Sequence, residues 1–262
     1  MRRQIGVLLL SLLSLTAADS SVNNALMVHY AEGLTHGFLT LTTLDGVRVA
    51  DGELIQTVRG TRVTSRLIFH FDDGSLYDDT TVFSQRERFQ LVTDHLIQKG
   101  ASFPQAIEMF VDAVSKRVEV RYTDDGRQKV AAEQMSLPSD VANGMMLSIL
   151  KNLRSPPAEL SLVVATPKPR LVKLKVTQCG EQPFVTGKTA RRATCYTVSM
   201  ELGGLTGVIA PLVGKQPPDS RVWILRGDAP AFIRSELPLF NGGPVWRIDL
   251  ASPVWRSQRT DN

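Results

Sequence analysis

The sequence predicts a mainly β protein: a single curved antiparallel meander forming an open or half barrel, with one α-helix packed in its concave face. Three observations carry this. Asp-Gly occurs four times, at 45–46, 51–52, 73–74 and 125–126, each between stretches rich in Val, Ile, Leu, Thr and aromatics, and Asp-Gly readily takes the positive φ angles of tight hairpin turns. About a dozen short runs have the length and composition of strands. One stretch alone, LPSDVANGMMLSILKNL at 137–153, changes to the helical period.

In chain order, the first segment stands outside the fold. Met1-Arg2-Arg3 supplies a positive start, residues 5–15 an apolar core, and Thr16-Ala17-Ala18 the small residues of a cleavage site, so residues 1–18 are read as a signal peptide. The apolar run falls short of the ~20 residues that a spanning helix needs. Residues 19–262 are then expected as one soluble β-rich domain in the periplasm or outside the cell. The 30 Lys and Arg exceed the 26 Asp and Glu only slightly, and the margin narrows once Arg2 and Arg3 are removed. Nothing has the clustered basic footprint of a nucleic-acid binder.

Strands are predicted at 37–43, 53–58, 66–71, 75–83, 89–96, 107–112 and 117–122. HFDDGSLYDDTTVF, residues 70–83, brings a histidine and four aspartates close together, which invites a metal or acid–base reading. Alternation along the return strand puts Leu76, Asp78 and Thr80 on one face and Tyr77, Asp79 and Thr81 on the other. The four aspartates therefore do not converge through this hairpin, and the stretch is read as a solvated turn. In the helical stretch, Ala142, Met145, Met146, Ile149, Leu150 and Leu153 share one face, with Ser139 or Asp140 as cap and Ser155-Pro156-Pro157 as stop. Beyond it, strands are predicted at 160–165, 171–178, 194–202, 208–213, 222–226, 232–236 and 245–250. A single domain is favoured over two halves, because neither half closes its own sheet edges.

Cys179 and Cys195 are the two cysteines, and an even pair in an exported chain predicts a disulfide. It would staple the base of a hairpin with strands at 171–176 and 196–202, worth roughly 3 kcal/mol in the chain-entropy model. There is no Cys-x-x-Cys redox pair.

Catalytic motifs are absent. GEQPFVTGKT has six residues rather than four between Gly180 and Gly187, and a strand is expected after it, so it does not build a phosphate loop. His29, His36, His70 and His95 have no helical partner spacing, and no Gly-x-Ser-x-Gly elbow occurs. No catalytic residue, metal site or cofactor is predicted.

Two features point to binding instead. Lys173 and Lys175 share one side of a strand, extended by Lys168, Arg170, Lys188, Arg191 and Arg192; such a face suits anionic headgroups or an acidic partner, and equally a solvated surface. Trp223, Trp246 and Trp255 lie late in the chain with Phe232 and Phe240, a density of rings that can wall a pocket or fill a core. Met145, Met146 and Ile149 on the helix suit adaptable apolar contacts.

The run TTVFSQRERFQLVTDHLIQKGASFPQAIEMFVD, the helical stretch LPSDVANGMMLSILKNL and the closing GGPVWRIDLASPVW resemble bacterial exported open-barrel or β-spiral proteins grouped around envelope-integrity protein B. They are more distantly similar to lipoprotein-carrier folds. The resemblance implies a periplasmic half-barrel with its helix against the concave face and a role in the cell envelope; it carries over no active-site residue. Three functions are weighed. The first is a non-enzymatic envelope protein that binds a protein partner or envelope component through its curved sheet. The second is a carrier of lipid or another apolar ligand in the hollow, and the third a hydrolase or metal enzyme using residues such as His70 and Asp72.

Overall fold

The structure, a computed structural model, describes residues 25–201 and 217–252. The predicted signal peptide at 1–18, the strand at 208–213 and Trp255 lie outside those residues.

Eight strands follow one another by short hairpins: β1 (Thr35–Thr42), β2 (Arg48–Arg59), β3 (Arg62–Phe71), β4 (Leu76–Gln85), β5 (Phe89–Lys99), β6 (Ile107–Asp112), β7 (Arg117–Asp124) and β8 (Arg127–Gln134). The helix α1 (Met146–Asn152) comes next. Six further strands complete the chain: β9 (Ala158–Val164), β10 (Arg170–Thr186), β11 (Thr189–Glu201), β12 (Ser220–Leu225), β13 (Ala231–Leu237) and β14 (Trp246–Leu250). All 14 join in one antiparallel sheet, ordered β8-β7-β6-β5-β4-β3-β2-β1-β14-β13-β12-β11-β10-β9. The sheet curves without closing, so β8 and β9 remain its edges, and the segment carrying α1 connects one edge to the other. Open curvature and a single helix among the described residues are the predicted fold class.

Three of the four Asp-Gly pairs make the expected turns. At the β7–β8 turn Asp125 and Gly126 both take positive φ, 49° and 71°, the geometry of a two-residue hairpin. The pair at 51–52 does not turn; it lies inside β2, which runs through it to pair with β3. Gly52 is there for space: a Cβ would overlap the Phe69 ring and lie 2.6 Å from the Ile68 carbonyl oxygen. β8 was not predicted, because its residues are mostly exposed and follow no apolar alternation.

The helix is shorter than its apolar face suggests. Gly144 takes φ +59°, which interrupts any helix begun at Ser139 or Asp140. Residues 140–142 instead lie along β9: Ser161 N donates to the Asp140 carbonyl (3.0 Å) and Ala142 N to the Ser161 carbonyl (2.8 Å). The predicted side-chain cap is therefore absent, and Asp140 bonds Lys173 (2.9 Å). The apolar face is buried all the same, with Met145, Ile149 and Leu150 fully enclosed. They meet Phe83, Phe89, Leu160, Val176 and Ile224 in one continuous core. Asn152 fixes the far end, its Oδ1 accepting from the backbone N–H groups of His29 (2.7 Å) and Tyr30 (2.6 Å).

Candidate functional site

Inside the curve of the sheet, beneath the 140–152 segment, is a cavity of ≈ 350 Å³, within the range of about 300–1,000 Å³ typical of small-ligand pockets. Its two walls differ. Leu162, Leu174, Val198, Val222 and Phe232 from β9–β13 make one side, with Met146 and Leu147 of α1 above. Gln56, Ser65, Asp79, Thr81, Asp94 and Gln98 from β2–β5, interleaved with Leu54, Leu67 and Leu96, make the other.

Two strands bring the carboxyls together. On β4, alternation turns Tyr77, Asp79, Thr81 and Phe83 inward. On β5 the register against β4 shifts between Val82 and Phe83: Val82 opposes Thr93, and Phe83 opposes Leu91. Val92 is the extra residue of a β-bulge. Phe89 and Leu91 face inward before the bulge, and Asp94, Leu96 and Gln98 face inward after it. Without that extra residue Asp94 would point to solvent.

Asp94 is almost fully buried. Its Oδ1 accepts from Thr81 Oγ1 (2.8 Å) and its Oδ2 from Asn143 Nδ2 (3.3 Å). Asn143 also holds β9, donating to the Val163 carbonyl (2.9 Å) and accepting from Val163 N (2.8 Å). Gly144 presses its backbone against the same spot; a Cβ there would lie 2.7 Å from Thr81 Cβ and 3.1 Å from Asp94 Oδ1. Burial, followed by the charge of Asp94 and a hydrogen bond to it, pushes the Asp79 carboxyl well above the usual carboxylate range. Burial also raises Asp94, while the hydrogen bonds from Thr81, Asp79 and Asn143 pull it down. Both carboxyls are thus pushed toward their protonated forms, Asp79 the more strongly. Asp79 Oδ1 is buried and has no hydrogen-bond partner.

The aspartates of the 70–83 stretch thus divide. Asp73 caps its own turn through Ser75 N (2.8 Å), Asp72 meets Arg48 (3.0 Å), and Asp78 takes Arg66 on the outer face (2.6 Å). Asp79 is not solvated, which corrects the reading of this hairpin. His70 is exposed on the face opposite Phe69 and Phe71. Among the described residues, no three His, Cys, Asp or Glu side chains come together as a metal-binding group.

Of the predicted contact residues, Met146 lines the cavity, whereas Met145 and Ile149 are packed in the core beside it. Trp246 also belongs to that core, its ring 5.5 Å from Phe71 and 6.0 Å from Phe240. Trp223 points away from the hollow into a second, small cluster with Ala193, Cys195, Phe184 and Ile233, where its Nε1 donates to Gln182 (2.9 Å). Lys173 is committed to Asp140 and to Ser161 Oγ (2.9 Å), while Lys175 is exposed. Cys179 and Cys195 form a disulfide, with Cα atoms 5.1 Å apart. It sits in the middle of the hairpin rather than at its base, because β10 and β11 stay paired out to Thr186 and Thr189. Asp94, Thr81 and Asn143 escaped sequence reasoning. The inward phase of Asp94 depends on the bulge, and Asn143 was assigned to a helix.

No family model and no curated protein matches the chain. Among solved structures, the chain is similar to a β-barrel-like protein, a Domain of Unknown Function DUF1849 from Brucella abortus, at 10% identity, over 87% of this chain and 100% of that one, with a TM-score of 0.45.

Proposed function

We propose that this chain is a non-enzymatic carrier or binding protein for a small apolar ligand held in the half-barrel hollow. The cavity carries the reading. A hollow filled by side chains would have favoured partner binding, which the sequence ranks first; the open space beneath α1 reverses that order. The segment 140–152 covers the cavity, tied by Asn143 to β9, by Asp140 to β10 and by Asn152 to the backbone at His29, with Met145, Ile149 and Leu150 anchoring it in the core.

An exported protein of the cell envelope, of the kind grouped around envelope-integrity protein B, is the setting we propose. The N-terminal pattern of charge, apolar core and small residues supports it, as does the disulfide. Native mass spectrometry of the protein purified gently from its own periplasm tests the reading. A stoichiometric apolar molecule released on denaturation is expected, and Leu162→Trp, which fills the cavity, should lose it. A clean apo mass for the native chain counts against carriage.

Partner binding is the second reading. Edge strand β8 is exposed along most of its length, with Val130 61% accessible, and an open edge accepts an added strand. Cross-linking in the envelope to a residue introduced on β8 is its test.

A further inference from the structure

We infer that β8 is the pairing edge for a second copy of this chain, two copies joining antiparallel about Ala131 into one continuous sheet. The inference rests on the partner-binding reading and names the partner. The sheet treats its two ends differently. β9 is covered by its own chain: Asp140 and Ala142 engage both backbone groups of Ser161, and Asn143 engages both backbone groups of Val163. β8 has β7 as its one neighbour, and no described strand lies beyond it. A proline, a bulge or a very short strand commonly protects an open edge. β8 is eight residues long, RQKVAAEQ, without proline, and it pairs with β7 without a register shift.

Hydrogen-bond phase fixes which backbone groups are free. Met135 N donates to the Lys116 carbonyl (2.8 Å), and bonded pairs recur at every second position of an antiparallel ladder. Arg127, Lys129, Ala131 and Glu133 therefore bond to β7, and Gln128, Val130, Ala132 and Gln134 present their amides and carbonyls to the open edge. A two-fold pairing centred on Ala131 sets Gln128 opposite the partner's Gln134 and Val130 opposite the partner's Ala132. All four free residues are then used on both copies.

The same register sets Lys129 opposite the partner's Glu133, twice. Opposite charges at facing positions stabilise a strand pair, and like charges oppose it. Glu133 has no ion-pair partner among the described residues, and within its own copy Lys129 meets Asp124, itself exposed. Val130, 61% accessible, would exchange water for a methyl group. A pairing centred on Val130 instead would leave Gln134 over and lose the Lys129 contact. One added strand buries less than the roughly 1,200–2,000 Å² of a standard interface, so the dimer is expected to be weak and reversible.

Sedimentation velocity of the whole chain from about 1 µM to about 1 mM tests this. A concentration-dependent shift from monomer to dimer is expected. Lys129→Glu and Glu133→Lys, both outside the core, should each weaken self-association about tenfold or more. An equimolar mixture of the two variants should dimerise, since every facing pair is then of opposite charge. Val130→Pro, which removes an edge N–H without breaking a bond to β7, should abolish the dimer. A monomer at every concentration overturns self-pairing, and so does a dimer that Val130→Pro leaves intact. A dimer lost in Val130→Pro, whose charge variants neither weaken alone nor recover on mixing, overturns the register about Ala131. Cross-linking from β8 in the envelope judges the partner-binding reading separately. An adduct with a different protein keeps the open edge and removes the second copy, whereas no adduct at all removes that reading too.

Discussion

The two walls of one hollow are built from the same alternating strands, yet one is aliphatic apart from Phe232, Ser220 and Ser235, while the other sets two carboxyls, two amides and two hydroxyls among Leu54, Leu67 and Leu96. The aliphatic wall follows the rule that inward positions are apolar. The polar wall breaks it at Gln56, Ser65, Asp79, Thr81, Asp94 and Gln98; Thr81 and Asp94 are where the 140–145 segment lands, and Gln98 donates to the Leu239 carbonyl (2.7 Å). Those contacts teach what the polar groups do: Thr81, Asp94 and Gln98 dock irregular pieces of chain that bring their own amide and backbone groups to the sheet.

The contrast can be broken most severely at Gly144. Its positive φ and its contact with Thr81 and Asp94 leave no room for a methyl group, so Gly144→Ala should cost about 3 kcal/mol or more, read as a lowered urea midpoint. Stability close to native would mean that the segment shifts freely and that the polar wall is not its dock. On the other side, Cys179→Ser with Cys195→Ser removes the staple behind the aliphatic wall. It should cost about 3 kcal/mol by loop closure and leave the fold recognisable by circular dichroism; identical melting of oxidised and reduced protein would refute this.

A subtler effect sharpens the comparison. The folded value of Asp79 lies above its ordinary one, so the native chain retains a proton that the unfolded chain sheds as pH rises past the usual carboxylate range. The stability this gives is complete in acid and is lost as pH climbs through the folded value. Urea midpoints taken between about pH 4 and pH 8 should therefore fall with rising pH more steeply in the native chain than in Asp79→Asn, in which no proton is at stake. Parallel profiles would show that Asp79 ionises freely in the fold. Smallest of all, Lys175→Ala should move stability by no more than about 0.5 kcal/mol, whereas Lys173→Ala strips the partner from buried Asp140 and should cost about 2 kcal/mol. Equal effects would mean that the Lys173 ion pair contributes nothing.

How much of this was legible depended on whether local chemistry or a tertiary contact decided each residue. Three Asp-Gly turns, the strand pattern and the single helical region were legible because turn chemistry and apolar periodicity are local. The Asp51-Gly52 pair misled, since Gly52 answers to the Phe69 ring across the sheet. β8 and the outer halves of β10 and β11 carry polar residues such as RQKVAAEQ and TGKTARR, and their pairing is fixed by the partner strand rather than by burial. The candidate site was hidden for a sharper reason. A one-residue bulge at Val92 reverses the faces of everything after it in β5, so strict alternation from Phe89 sends Asp94 outward. Gly144, similarly, reads as a weak helix residue until the strand it touches is known.

The strand order also sets a schedule for folding. From β1 to β8, and again from β9 to β14, every partner is the next strand in sequence, so each half can pair strand by strand as it becomes available. The seam that joins them pairs Leu39 with Leu250, almost the full length of the chain apart, and contacts of such long range are slow to form. Until that last pairing is made there is no enclosed space, only two separate ribbons with open edges. If the hollow takes a ligand as proposed, that ligand can enter an unfinished protein as well as a finished one, and its presence would favour the closing of the seam.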